Sequence, residues 1–309
     1  MKTATIIFAG IFFLASVHLS CSRKSGDTDA ATGTVPPATI DLTDSLFTSG
    51  IEGPAIGPDG LLYLVNFASE GTVGMVDADG RSELFVELPE GSRGNGIRFD
   101  RAGAMFIADY RGHNVLRVDM DLKEVRVFVH EPAFHQPNDL AIMDNDILFA
   151  SDPDWSGSTG RLWRISPNAE ATMLEEGMGT TNGLEVSPDN RKLYVNESVQ
   201  RKVWVYDLDQ DGNISNKRLF HEFPDFGMDG MRCDVEGNLY ITRYGKGSVA
   251  VLTPDGAMMQ EIRTQGRRPS NIAFGGPDGK TCFVTVQDRG RVETFQARYP
   301  GRSWAMRNP

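Results

Sequence analysis

The sequence predicts an all-β fold, a six-bladed β-propeller, and three observations carry that expectation. A strand–turn–strand unit recurs six times at a period of roughly 45 residues, which is the spacing of propeller and solenoid repeats. Each unit is followed by a third alternating strand, as in "HNVLRVDMD" or "GSVAVLTPDG", and then by a shorter fourth, the strand complement of one blade. No helical period competes with this pattern between the turns.

The 309 residues, 40% hydrophobic and 24% charged, suffice for a large buried core. A formal net charge of -11 argues against nucleic acid or an anionic membrane as partner, because both select clustered Lys and Arg. Small molecules and cations remain as ligands, and a monomer is expected.

In chain order, Lys2, the apolar stretch from Ala4 to Val17 and then Leu19-Ser20-Cys21 follow the charged, apolar and cleavage regions of a signal peptide. The apolar stretch is too short to span a bilayer. Residues 1–21 are expected to be an export signal of the lipoprotein type, with a lipid on Cys21 as the one membrane contact. His18 stands where such signals usually carry an aliphatic residue, which leaves plain secretion and a retained membrane anchor as the alternatives. Each route places the protein in the periplasm or at the cell surface. Residues 22–37, "SRKSGDTDAATGTVPP", lack apolar periodicity and are expected to form a flexible linker. The propeller is expected over residues 38–309.

The repeats begin "EGPAIGPDGLLYLVNF" at Glu52, "NGIRFDRAGAMFIADY" at Asn95 and "NDLAIMDNDILFASDP" at Asn138. They continue "NGLEVSPDNRKLYVNES" at Asn182, "DGMRCDVEGNLYITRY" at Asp229 and "NIAFGGPDGKTCFVTV" at Asn271. The segment "ATIDLTDSLF", Ala38 to Phe47, has no blade of its own, so it is expected to be the outer strand of blade six and to close the ring. Cys233 and Cys282 lie within strands and are expected to be small buried apolar residues rather than a disulfide.

The first position of every repeat is a carboxylate or an amide. The first strand of a blade lines the channel of a propeller, so these six side chains should ring its mouth. Asn-Gly and Asp-Gly are also turn pairs, which is the simpler account of Asn95 and Asn271, but Glu52 is no turn residue. Two acids among amides, without His or Cys, form a hard-oxygen set suited to Ca²⁺ or Mg²⁺ rather than structural Zn²⁺. A divalent ion would cancel the repulsion between the two acids in the channel.

At these residues the sequence resembles the senescence-marker-protein/gluconolactonase family, six-bladed propellers related to paraoxonases and diisopropyl-fluorophosphatases. The resemblance runs from about Ala38 to Ala297 and rests on "EGPAIGPDG", "PNDLAIMDND", "TNGLEVSPDNRKLYV", "DGMRCDVEGNLYITRYGKGSV" and "SNIAFGGPDGKTCFVT". It implies that Glu52, Asn138, Asn182 and Asp229 hold a divalent ion, Ca²⁺ first, in the central channel. It also implies a hydrolase of lactones or related esters, which with the N-terminal signal makes an exported one. The ion would polarise the carbonyl, and Asp229 would be the catalytic base that activates water. Sugar-lactone hydrolases of the family often carry Arg where this chain has Gln136, so gluconolactone itself is in doubt as substrate. Arg93 is a replacement cation from the neighbouring blade.

Substrate contacts are expected from Asn95, Arg93, His135, Asp139 and Asn271. His135 has the alternative of a bland loop residue, and Asp139 that of an exposed turn or of a partner orienting Asn138. Asp152 and Trp155 face the same loops, with Trp155 a candidate apolar wall. Two rival functions stay open: a non-catalytic binding or scaffold propeller whose metal only ties blades together, and a phosphotriester hydrolase with Asp229 as nucleophile.

Overall fold

The computed structural model describes residues 38–308, so the expected export signal, Cys21 and the linker lie outside the described residues. The described chain is built from six four-stranded antiparallel sheets. In blade one the strands are Phe47–Ile56, Leu62–Phe67, Thr72–Val76 and Ser82–Glu87, and blades two to five repeat this order outward from the channel. The innermost strands of blades two to six are Gly94–Phe99, Leu140–Ile142, Thr181–Val186, Met231–Cys233 and Pro269–Gly275. Each lies against its neighbours in a ring that closes between blade six and blade one.

Blade six takes its outer strand from the other end of the chain: Ile40–Asp41 pairs antiparallel with Arg291–Gln296, Ile40 opposite Thr294 and Asp41 opposite Glu293. Arg289 and Arg291 both donate to the Asp41 carboxylate, and Thr39 Oγ1 donates to Glu293 Oε2 at 2.6 Å. The closing strand is shorter than the segment Ala38 to Phe47, because Phe47 already belongs to the innermost strand of blade one.

The core is a set of apolar layers between blades. Tyr63, Val65 and Phe85 of blade one pack with Ile97, Met105 and Leu116 of blade two, and each following pair of blades repeats the arrangement. Phe47, Leu64 and Val292 close the circle between blades one and six. Strand alternation supplies these layers by pointing every second side chain at the neighbouring blade. Cys233 and Cys282 are buried and unbonded.

Two features position the site. In blades one, two, four and six the register shifts at the start of the innermost strand, beside Glu52, Gly94, Thr181 and Asn271. A bulge re-aims the side chain it carries, here towards the channel. The second feature is the C-terminal segment, whose short helix Arg302–Ala305 lies outside the repeats. Gly301 bridges Asp234 of blade five, Arg302 donates to Ile142 O and Asp144 of blade three and to Asn190 of blade four, and Arg307 stands over Phe99 of blade two. The tail therefore caps the channel at the ends of the innermost strands, leaving their beginnings open.

Candidate active site in the channel mouth

The starts of the innermost strands, bulged in blades one, two and four, and the residues just before them in blades three and five bring five of the six ring residues to one cavity of about 300 Å³: Glu52, Asn95, Asn138, Asn182 and Asp229. Trp155, Ser198, Tyr244 and Gln287 complete its wall, and among the described residues no Lys or Arg lines it. The Gly after the ring residue serves close packing between blades. A Cβ on Gly53, whose φ is +60°, would overlap the Asn95 carbonyl, and one on Gly230 would overlap the Asn271 amide. The repeated pair of a polar residue and glycine is thus an interblade contact rather than a copied turn.

Glu52 is buried, and its Oε2 accepts hydrogen bonds from Gly53 N at 2.5 Å and Asn271 Nδ2 at 2.9 Å. Asn271 also accepts from Ile272 N through its Oδ1, so both ends of its amide are engaged. Asp229 is fixed through its backbone: its N–H donates to Thr242 O at 3.0 Å and its carbonyl accepts from Asn196 Nδ2 at 2.6 Å. Its carboxylate takes a hydrogen bond from the Asn182 side chain. Asn95 Nδ2 donates to Asn138 O at 3.0 Å, which ties blade two to blade three at the rim.

Two expected substrate contacts lie below this floor instead of in the cleft. Asn271 is buried and orients Glu52. Asp139 is buried as well, so it is no exposed turn; it accepts from Leu140 N at 2.8 Å and pairs with Arg98 at 3.3 Å. Neither lines the cavity, and Asp139 Oδ2, without a hydrogen-bond partner among the described residues, stands 3.6 Å from Arg232.

The electrostatics of the cavity are unbalanced. Burial, then the charge of Asp139, pushes Glu52 up to about 7, against the hydrogen bonds from Gly53 and Asn271. Burial, then the charge of Glu52, raises Asp229 well above the usual carboxylate range, against the hydrogen bond from Asn182. Asn138 Oδ1 and Asn182 Oδ1 are buried acceptors with no hydrogen-bond partner among the described residues. Among the described residues no three His, Cys, Asp or Glu side chains gather to hold an ion, so a ligand set here combines the two acids with amide oxygens. Two repelling carboxylates and two unpaired amide oxygens on one cavity, with no basic side chain to answer them, fit a hard divalent cation.

A second cleft of about 630 Å³ continues from this cavity, sharing Asn95, Asn138, Trp155 and Gln287, and extends over Arg93, Tyr110, His135 and Gln136. Arg93 pairs with Glu70, donates to Tyr110 Oη at 3.2 Å and lies over the Tyr110 ring, so its charge is already offset within the protein. The loop with His135 and Gln136 is held by Asp152, whose carboxylate accepts both backbone N–H groups and the Trp163 indole N–H. Asp152 is therefore a buried loop anchor. His135 Nδ1 lies 2.9 Å from the Pro153 carbonyl, which can only accept, so Nδ1 carries the proton and Nε2 is left as an acceptor. Trp155 is exposed and lines both spaces.

Ser198, Tyr244 and Gln287 were not expected from the sequence. They follow the second strand of blades four, five and six, so comparing the repeats at that second position would have found them.

Residues 52–288 match the family model described as the SMP-30/Gluconolactonase/LRE-like region. The chain is 29% identical to a gluconolactonase of Zymomonas mobilis over 229 residues, 65% of this chain and 64% of that protein. It is 27% identical to a diisopropyl-fluorophosphatase of Loligo vulgaris over 301 residues, 85% of this chain and 96% of that one. Among solved structures, a calcium-binding protein, regucalcin, from Agrobacterium tumefaciens superposes with a TM-score of 0.75 at 20% identity, covering 86% of this chain and 95% of that one, which shows the shared fold.

Proposed function

Because the chain belongs to the SMP-30/gluconolactonase/LRE-like family, we propose that it hydrolyses hydroxylated lactones at the open mouth of the channel, with a divalent cation, Ca²⁺ first, as cofactor. The observation that carries this reading is the convergence of the Glu52 and Asp229 carboxylates with the unpaired Asn138 and Asn182 oxygens on one cavity without a basic side chain. These four residues would hold the cation. When bound, it supplies Lewis-acid polarisation of an ester carbonyl.

The chain's own groups account for the rest. Asp229, immobilised through Thr242 and Asn196 and oriented by Asn182, takes a proton from the attacking water. Water oxygen bonds to the carbonyl carbon, the ring C–O bond breaks, and the proton passes to the departing ring oxygen, giving a hydroxy acid. Asn271 keeps the Glu52 carboxylate in place. The adjoining cleft, lined mostly by amide, hydroxyl and imidazole groups, suits the hydroxyls of the substrate, with His135 Nε2 as an acceptor and Trp155 as the apolar wall. We further assign the protein to the outside of the cytoplasm, tethered through Cys21; Cys21→Ser should then move it from the membrane fraction to the soluble fraction.

The test is turnover of a panel of aldonolactones, with a phosphotriester added because the fluorophosphatase likeness spans 85% of the chain. Lactone hydrolysis lost on chelation and in Asp229→Ala supports the proposal. Lactone hydrolysis unchanged by both, or turnover of the phosphotriester alone, overturns it.

A further inference from the structure

Below the ring the channel changes sign. Arg98, Arg232 and Arg302 are all buried there, with Asp139 and Glu185 as the buried acids between them. Arg98 and Arg232 approach Asp139 at 3.3 and 3.6 Å, while Arg232 and Arg302 approach Glu185 at 3.9 and 3.6 Å. Arg302 also pairs with Asp144 at 2.9 Å, so these three guanidiniums stand against three acids, and the excess of positive charge comes from Arg307 of the cap.

That excess meets a space. A partly open cavity of about 30 Å³, separate from the active-site cleft, lies between the innermost strands and the C-terminal cap. Arg98, Arg101, Arg232 and Arg307 line it, and the one acid on its wall, Asp100, is engaged by Ala104 N in a turn. Arg232 Nη2 is buried without a hydrogen-bond partner. The Arg307 side chain makes no hydrogen bond or ion pair among the described residues, resting only over the Phe99 ring at 5.8 Å. Burial, then the charge of Arg98, pulls Arg232 down to about 10, and burial lowers Arg307 as well. A guanidinium N–H buried without an acceptor is costly, and an anion beside it removes that cost. The space exceeds the roughly 10–15 Å³ that a single water needs, and it accepts one chloride-sized ion.

We propose that this cavity is a binding site for one small monovalent anion, of the size of chloride, held by Arg232 and Arg98 from the channel wall and Arg307 from the C-terminal cap. The anion fastens the tail across the closed end of the propeller. This site is independent of the lactone chemistry at the other mouth.

Crystals of the protein soaked in bromide, read by anomalous scattering, test the assignment together with thermal melts in sodium bromide, chloride and gluconate at equal ionic strength. The expected result is a bromide peak against Arg232 Nη2, with a melting temperature about 5 °C higher in bromide or chloride than in gluconate. Arg307→Gln, at the rim, should weaken both responses while lactone turnover stays at the level of the parent; Arg232→Met should abolish the peak. A cavity holding only water in bromide, with melting that follows ionic strength whatever the anion, overturns the proposal. So does an unchanged anion response in Arg307→Gln.

Discussion

The two ends of the channel are made by the same strands and carry opposite fields. At the open mouth, the first residues of the innermost strands gather two carboxylates and amide oxygens with no Lys or Arg on the wall. A few residues further along the same strands, Arg98 and Arg232 point into the channel, and the C-terminal tail seals that end with Arg302 and Arg307. The comparison teaches how a repeat separates a site from a scaffold. The closed end supplies its own cations, whereas the open end exposes acceptors that its own side chains leave unanswered.

Substitutions at the two ends should therefore fail in different ways. The largest effect is expected from Asp229→Ala, which should lower kcat for lactone by on the order of 10³-fold, measured by proton release, with little change in the melting curve. Arg302→Ala should do the reverse. It removes hydrogen bonds to Ile142, Asp144 and Asn190 and leaves buried Glu185 short of a partner. A loss of about 3 kcal/mol in denaturant unfolding is expected, with kcat of the folded fraction retained. If Arg302→Ala instead reduced kcat at unchanged stability, the division between the ends would be broken.

Asn271→Ala sits between these cases, because it leaves every proposed ligand in place but frees Glu52. Cation affinity by calorimetry should fall about 10- to 100-fold. Titration gives a further distinction. Glu52 is raised to about 7, so in metal-free protein the folded chain keeps a proton that the unfolded chain has released. That contribution to stability is intact below about pH 4 and is lost by the time pH passes about 7. Bound cation favours the ionised carboxylates, so its affinity should climb with pH through the same window, and chelation should lower the melting temperature more at about pH 8 than at about pH 5. The smallest effect is expected from Trp155→Ala, which should raise KM for lactone a few-fold, roughly 1 kcal/mol, with kcat nearly unchanged.

Much of this contrast could be read from the chain alone, and the missing part has a physical reason. The repeat announced the blades and the ring, since each is a local pattern copied six times, and the one segment left without a blade pointed to the closing strand. Arg98 and Arg232 were illegible because, in an alternating strand, a charged residue reads as solvent-facing, whereas every face of a propeller's innermost strand is covered. Asn271 and Asp139 share the motifs of the ring yet are buried in the layer beneath it, Asn271 against Glu52 and Asp139 against Arg98, interblade contacts that sequence periodicity does not register. The C-terminal cap depends on contacts between Arg302 and residues more than a hundred positions away, so no local signal marks it.

The claim that the open mouth is a cation site is tested most directly by the structure of crystals grown with Ca²⁺. The account predicts one ion bonded to oxygens of Glu52, Asn138, Asn182 and Asp229 together. An ion bound elsewhere in the channel, or a mouth that stays without one while Glu52 and Asp229 remain protonated, would contradict it.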